Sequence, residues 1–485
     1  MNLEQSTVES NGVARLVNTV IRGGYCVGCG ACTAVSGSPM RIEMDSLGQF
    51  QAVVDPSNSV AQPAIPLETI CPFSGESLNE DQLGRLRFGE DGRYHSHVGY
   101  HLSNWAGHVN EASWRERGSS GGMGKWILRE LLAEGLVDRV IEVAAHAPDD
   151  ESDLLYRFRV IDHADDVISG SRSVYYPIEM SGVLQYVREN PGRYAITGIP
   201  CFVKAIRLLS RAEPVFQERI RFCVGLICGH LKSARYAEMI GWQMGVPPGS
   251  LSYVDFRLKL PGTKANEKGV EVRSIEPDRA VSAPTTVQNL FGTNYNYGFF
   301  QYKACDFCDD VVGETADISV GDAWLPEYLG DGRGTNVVVV RHPEIERIVR
   351  KGIADGRLAF TEVGVDKVIE SQIGGFRQRR AGLAYRLRLT DREGKWRPRK
   401  RVNATASHLS PKRRAIYRYR MLLTRRSQEA YEKARAAGDF AIFTREMQPL
   451  VDQYEVLKRR SRISQIYRGF QRRWVRLQKL LGLSR

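Results

Sequence analysis

The sequence predicts an α/β protein with α+β elements, and three observations carry that prediction. Strand-like apolar runs at 140–143, 194–197 and 220–227 are separated by stretches with helical apolar spacing. Alternation of this kind implies a partly parallel sheet covered by helices. Residues 250–300 alternate more strictly and predict an antiparallel insertion. The third observation is the density of Gly, Pro, Ser and Asn between residues 26 and 95, which predicts a small irregular module ahead of the sheet.

The bulk numbers narrow the class. A chain of 485 residues is longer than one compact core usually takes, so two or three domains are expected. There is no apolar run of 18 residues, so no transmembrane helix is indicated. Residues 1–21 are polar and mixed and lack the apolar stretch of a secretory signal. The expectation is a cytoplasmic protein in a reducing compartment, where structural disulfides are rare. Nine cysteines then need another explanation, and metal binding comes first. The net charge of +12 is uneven: from residue 391 onward 26 Lys and Arg stand against 8 Asp and Glu, or +18, which leaves −6 for the first 390 residues.

Element by element, the first 25 residues read as a loosely structured lead-in, followed by short strand-like pieces such as 51–54. Residues 118–122, Gly-Ser-Ser-Gly-Gly, form a glycine-rich turn. A helix follows, with Met123, Ile127, Leu128, Leu131 and Leu132 on one face and Gly135 placed to cap it. Residues 136–145 predict a buried strand, 194–197 a second, and 220–227 a third that ends at Cys228. Ile206, Leu208 and Leu209 predict a helix between the last two, and 337–341 another buried strand. From about 391 the chain turns basic and helical.

The cysteines carry the chemistry. Cys26, Cys29 and Cys32 form a C-x-x-C-x-x-C run on a chain loosened by Gly28 and Gly30. The bacterial ferredoxin run supplies three cluster ligands this way and takes its fourth from a distant Cys-Pro, here Cys71-Pro72. Structural zinc also takes four thiolates, although its ligands usually come as two separated pairs. The second set is dispersed: Cys305 and Cys308 form a C-x-x-C pair, while Cys201 and Cys228 each follow a predicted strand. Sites in open α/β sheets gather outside the carboxyl ends of strands, so these four could meet. Cys223 lies five residues before Cys228, on the opposite face of its strand, and reads as a small buried hydrophobe.

Taken in order, these motifs resemble the beta subunit of coenzyme F420 hydrogenases and dehydrogenases, a family that includes members like 7-hydroxymethyl chlorophyll a reductase. The resemblance covers roughly residues 20–380. It rests on Cys26 to Cys32 with Cys71-Pro72, the turn 118–122, Thr197-Gly198-Ile199-Pro200-Cys201, Leu226-Ile227-Cys228, and Cys305-Asp306-Phe307-Cys308 followed by residues 316–324. The resemblance implies FAD and two [4Fe–4S] clusters, the second on Cys201, Cys228, Cys305 and Cys308. It implies a ferredoxin-like cluster module at 20–95 and a mixed α/β flavin-binding core at 96–385 that also holds the second cluster. Residues 391–485 form a basic helical extension outside the resemblance. The implied function is an oxidoreductase that passes electrons between a ferredoxin-like donor, or a partner redox subunit, and a small-molecule acceptor such as coenzyme F420.

The residues support a flavin independently. The backbone N–H groups of Gly121 and Gly122, the hydroxyls of Ser119 and Ser120, and the positive end of the following helix suit a pyrophosphate. Lys125, Arg172, Tyr175 and Tyr176 are candidates to line the pocket, each also readable as an ordinary surface or core residue. Asp322 and Trp324 are candidates beside the cofactor; the plainer reading makes Asp317 and Asp322 solvent-facing acids around a short strand. His230 could hydrogen-bond a cluster sulfur or carry protons, and no catalytic acid or base is assigned.

The tail predicts a basic amphipathic helix, with Ile466, Phe470, Trp474, Leu477 and Leu481 on one face and Arg468, Arg472, Arg476 and Lys479 off it. Peripheral contact at the inner membrane face, or a partner groove, suits such a helix; nucleic acid is the weakest option because no binding motif accompanies it. Bacterial relatives with such tails resemble proteins that accompany surface-polysaccharide synthesis. Two other functions are open: a non-catalytic electron-transfer subunit of a larger complex, and a zinc-binding scaffold.

Overall fold

The computed structural model describes residues 12–58, 62–146 and 154–459. The chain divides into two compact units between His408 and Leu409.

An eight-stranded mixed sheet organises the first unit. Its strands run in the order Leu358–Glu362, Ser103–Val109, Asn336–Val340, Ile318–Asp322, Ile220–Leu226, Tyr194–Gly198, Arg139–Ala145 and Tyr156–Ile161. The four strands from Ile318–Asp322 to Arg139–Ala145 pair in parallel, and every pairing outside them is antiparallel. The α/β class is therefore present. The period-two pattern explains how both faces are buried. Val140, Ala195, Phe222 and Val224 pack in one layer with Trp126 and Leu131. Their sequence neighbours Ile141, Ile196 and Cys223 pack in the other with Phe202, Ile206 and Leu209. Covered on both faces, such strands read as continuous apolar runs. The residues 250–300 hold a three-stranded antiparallel sheet, Leu251–Leu258, Gly269–Ser274 and Thr285–Thr286.

The glycine-rich turn is locked by its neighbours. The helix Met123–Ala133 starts at Gly122, whose φ of +90° suits glycine. Its first N–H, on Met123, donates to the side-chain oxygen of Asn336 at 3.0 Å, and the Asn336 amide donates to the Gly321 carbonyl at 3.0 Å. Asn336→Ala would empty the cap and leave buried polar groups unpaired. We expect a loss of about 2 kcal/mol, read from the shift of the unfolding midpoint.

The structure corrects two expectations. Residues 12–21 are not a loose lead-in. Gly12–Leu16 is α-helical and Val17–Ile21 continues as a π turn. Leu16 and Val20 are buried in the same core as Phe73, Phe202 and Leu383, and that packing stabilises a helix that propensity left unmarked. Asp317 and Asp322 are not solvent-facing. Asp317 is fully buried between Arg207 at 2.5 Å and Arg87 at 3.2 Å. Asp322 is paired with a buried Arg257. Their partners lie over 60 residues away, which is why local sequence showed only two acids flanking a strand.

The second unit contains a helical hairpin, Pro411–Ala437 and Phe440–Lys458, turned at Gly438 with φ +65°. Its inner face sets Tyr431 against Phe443, with ring centroids 5.6 Å apart. The predicted amphipathic segment from Ile466 to Leu481 lies outside the described residues. Among the described residues no helix is long and apolar enough to cross a membrane.

Candidate functional site

The first cysteine set closes around a cavity. Cys26, Cys29, Cys32 and Cys71 line it together with apolar Leu16, Val20, Ile70 and Phe73. Gly28 and Gly30 take left-handed φ values of +61° and +84°, which bring the run around the cavity; a Cβ on Gly28 would come within 2.4 Å of Phe50. The Cys26 sulfur accepts the N–H of Gly28 at 3.3 Å and of Ala52 at 3.4 Å. Burial pushes all four thiols up, Cys71 to about 12, and neighbouring thiolates add to the rise at Cys29, Cys32 and Cys71. Four cysteines lining one small apolar cavity fit a metal cluster, which deprotonates its ligands on binding against the cost that burial imposes.

The second set is assembled by the sheet. The strands Tyr194–Gly198 and Ile220–Leu226 are parallel neighbours, so Cys201 and Cys228 leave adjacent strand ends on the same side. Cys201 sits in the first turn of the helix Pro200–Ala212. Cys305 and Cys308 come from the turn Lys303–Phe307 and its end. Backbone bonds tie that turn to the Cys228 loop: Cys228 N–H donates to Val311 at 3.1 Å, and Leu231 N–H to the Cys305 sulfur at 3.2 Å. Burial pushes Cys201 well up, and the negative charge of Cys308, Cys228, Cys305 and also Cys29 raises it further. Arg379 reaches the sulfurs of both Cys308 and Cys228, the Leu231 N–H reaches that of Cys305, and Cys201 packs into the same apolar core as Cys308 and Cys29. Among the described residues no three His, Cys, Asp or Glu converge on a position for a single metal ion. The thiolates of a cubane need not meet at one point, because each binds a different iron.

A strap after the helix Ala381–Arg392 covers this region. The Trp396 carbonyl accepts the Tyr25 hydroxyl at 3.1 Å, and Lys400 lies 4.5 Å from the centre of the Phe73 ring. Arg401 is buried among acids, at 2.6 Å from Glu314, 2.9 Å from Asp81 and 3.2 Å from Asp309.

The glycine-rich turn lies beside a buried cationic group. Arg257 grips both oxygens of Asp322 at 2.7 Å, and reaches the Ser119 carbonyl at 3.2 Å and the Tyr175 hydroxyl at 3.1 Å. Lys259 reaches the carbonyls of Arg115 and, at 2.8 Å, Ser120. Burial lowers Lys259 to about 7 and Lys268 to about 8, aided by neighbouring cations. Lys268 is buried with no hydrogen-bond partner for its ammonium, the closest acid oxygen being on Asp322 at 3.9 Å. Among the described residues the buried N–H groups of Gly121 and Gly122 also donate to no protein acceptor. An anion would satisfy these donors, and the residues therefore fit the diphosphate of a dinucleotide cofactor.

The structure gathers Ser119, Ser120, Gly121, Gly122 and Asp322 into this cradle. The Ser119 hydroxyl accepts the Ser173 N–H at 2.6 Å, and the Ser120 hydroxyl donates to the Thr335 carbonyl at 2.9 Å. Lys125 is used differently: its ammonium is held by the carbonyls of Arg117, Ile168 and Gly170, and burial lowers it to about 8. Tyr176 is buried, 6.0 Å from Tyr156 between ring centroids. Arg172 pairs with Asp255. Tyr175 connects the cradle to the second cysteine set: its ring lies 5.9 Å from Tyr295, which stacks on His230 at 3.8 Å, two residues past Cys228.

Sequence reasoning missed Arg115, Arg257, Lys259 and Lys268. A signal existed for two of them. Asp255, Arg257 and Lys259 alternate with Phe256 and Leu258, so charges repeat at every second position over the end of that strand and the residue after it. Asp255 and Arg257 are buried, and charges repeating on a buried strand face mark a polar site.

Comparison with known proteins agrees with the motif reading. Two family models described as "Coenzyme F420 hydrogenase/dehydrogenase, beta subunit" match the chain. The N-terminal model matches residues 104–185 and the C-terminal model residues 192–365. An uncharacterized protein of Methanocaldococcus jannaschii is 24% identical over 267 residues, which are 52% of this chain and 65% of that protein. The chain thus spans just under two thirds of the length of that curated relative. A solved chain of the F420-reducing [NiFe] hydrogenase complex from Methanosarcina barkeri is 18% identical with a TM-score of 0.46, covering 64% of this chain and 99% of that one.

Proposed function

Because the chain belongs to the coenzyme F420 hydrogenase/dehydrogenase beta subunit family, we propose that it is an iron–sulfur flavoprotein oxidoreductase. It takes electrons singly from a ferredoxin-like donor or partner subunit and delivers them in pairs to a small-molecule acceptor. When bound, the clusters supply single-electron storage and FAD supplies the change to two-electron exchange.

The observation that carries this reading is continuity. Cys29, Cys201 and Cys308 pack into one apolar core, and the His230–Tyr295–Tyr175 contacts run from the second set to Arg257. Each residue group has a task. Cys26, Cys29, Cys32 and Cys71 would hold the first cluster; Cys201, Cys228, Cys305 and Cys308 the second. Arg257, Lys259 and Lys268, with the turn 119–122, would hold the diphosphate. Asp322 orients Arg257 by a two-oxygen grip. The strap that carries Trp396 and Lys400 packs on Tyr25 and Phe73 beside the apolar lining of the first set and would limit the access of water to it.

The test is anaerobic purification followed by iron, sulfide, zinc and flavin assays. About eight iron and eight sulfide per chain with one FAD is the expected result. Zinc without iron or flavin would overturn the reading. Arg257→Gln should lose most of its FAD, about tenfold in affinity or more, while keeping its iron, because a charge-assisted anion contact is removed far from the cysteines in the chain.

A further inference from the structure

The two cysteine sets are treated unequally by their surroundings. The first set is hydrogen-bonded by backbone: Gly28 and Ala52 donate to Cys26. Among the described residues no side-chain cation hydrogen-bonds a sulfur of that set. Lys204 and Lys400 act on Cys71 only through space. Lys204 is itself paired with Glu80 at 3.2 Å, and Lys400 lies near Asp309.

The second set has a cation in contact. Arg379 is buried at 2% exposure. One of its nitrogens donates to the Cys308 sulfur and to the Asp310 carbonyl at 2.6 Å. Another lies 3.9 Å from the Cys228 sulfur and donates to the Gly229 carbonyl at 2.6 Å. The guanidinium therefore touches two thiolates from two different loops while both of its carbonyl partners are neutral. It keeps its positive charge; the sulfurs are its only negative contacts among these four, and the Asp310 carboxylate acts on it through space without a hydrogen bond to it.

We infer that Arg379 sets the potential of the second cluster above that of the first, and so fixes the direction of electron flow through the chain from the Cys26 side toward the Cys201 side. The inference rests on the two-cluster reading above and adds to it. Reduction adds one negative charge to a group already held by four thiolates. A fixed, buried cation in contact with two of those thiolates favours the reduced state. Backbone N–H groups alone, as at the first set, favour it less, because hydrogen bonds from a charged donor are roughly twice as strong as neutral ones. Arg379 acts through the ligands and is a positioning residue.

The experiment is an anaerobic potentiometric titration followed by electron paramagnetic resonance, on the full chain and on Arg379→Gln and Arg379→Lys. A Cys201→Ser chain identifies which signal belongs to the second cluster. Arg379→Gln is expected to shift the second cluster's reduction equilibrium about tenfold toward the oxidised form, which is about 59 mV lower for one electron. The first cluster should stay where it is, and Arg379→Lys should recover part of the shift by restoring the charge. A shift of less than about twofold with iron retained overturns the inference, as does an equal shift of both clusters. Loss of the second cluster from both variants would make Arg379 a scaffold residue and also overturn it. About four iron per unsubstituted chain would instead overturn the two-cluster reading beneath it.

Discussion

Cys201→Ser should leave about four iron and four sulfide per chain where the unsubstituted protein holds about eight of each. Cys201 offers its sulfur from the first turn of the helix Pro200–Ala212, where the regular backbone fixes its position. A serine hydroxyl is a hard, weakly acidic donor, and iron–sulfur clusters select soft thiolates. The effect extends past metal content. Cys201 packs into the same apolar core as Cys29, so its cluster would be the link between the first set and the Tyr295–Tyr175 contacts. Electrons from a one-electron donor should then reduce the remaining cluster and stop there, leaving bound FAD oxidised. Cys223→Ala is the matched control. Cys223 is fully buried, faces the core with Ile141 and Ile196, and should keep both clusters at a cost of about 1 kcal/mol. An unchanged iron count in Cys201→Ser would remove Cys201 from the ligand set.

Which features were legible follows from where their causes lie in the chain. The central strands were visible because both their faces are buried, so Val337 to Val340 and the residues around Ile196 and Val224 are apolar without interruption. The first cysteine set was visible because three of its ligands lie within seven residues. The second was legible only through its strand ends and the family likeness, since Cys201 and Cys228 are brought together by the register of parallel strands and the Cys305–Cys308 pair reaches them from a turn much further along the chain. The strand Ser103–Val109 was missed. Buried on both sides, it still carries Ser103, Asn104, Gly107 and His108, and the Ser103 hydroxyl is satisfied by a distant partner, Glu346, which accepts from it. Gly107 is there because the Phe360 backbone of the neighbouring strand leaves 2.6 Å for a Cβ. The cradle cations were missed for the same reason: Arg257 and Asp322 are 65 residues apart, and neither is informative until the antiparallel insertion is laid against the sheet.

Arg401→Met should destabilise the first unit by about 3–5 kcal/mol at pH 8, the usual result of removing one partner from a buried ionic network. Arg401 is the shared cation of Glu80, Asp81, Asp309 and Glu314. Without it, Lys204 still serves Glu80 and Arg380 still serves Glu314 at 3.2 Å, but Asp309 keeps only a distant Lys400. The loss should depend on pH in a defined direction. Burial already raises Glu314 to about 7, and Arg401 is the first group opposing that rise. An acid whose folded pKa lies above its unfolded value holds more protons when folded. Stability from this group is thus highest below about pH 4.5 and falls as pH rises toward 7. Deleting Arg401 raises Glu314 further and carries the falling segment to higher pH. The difference between variant and unsubstituted protein should therefore grow from pH 5 to pH 8, because at pH 5 Glu314 takes a proton and needs no cation. Apparent unfolding midpoints at the two pH values measure this, and an equal loss at both would rule out Glu314 as the cause. The strap that Arg401 anchors also carries Trp396 and Lys400 onto Tyr25 and Phe73 beside the first cysteine set. Iron held there should consequently pass to an external chelator faster in Arg401→Met, while iron of the second set, held from the strand ends, should pass at a less altered rate.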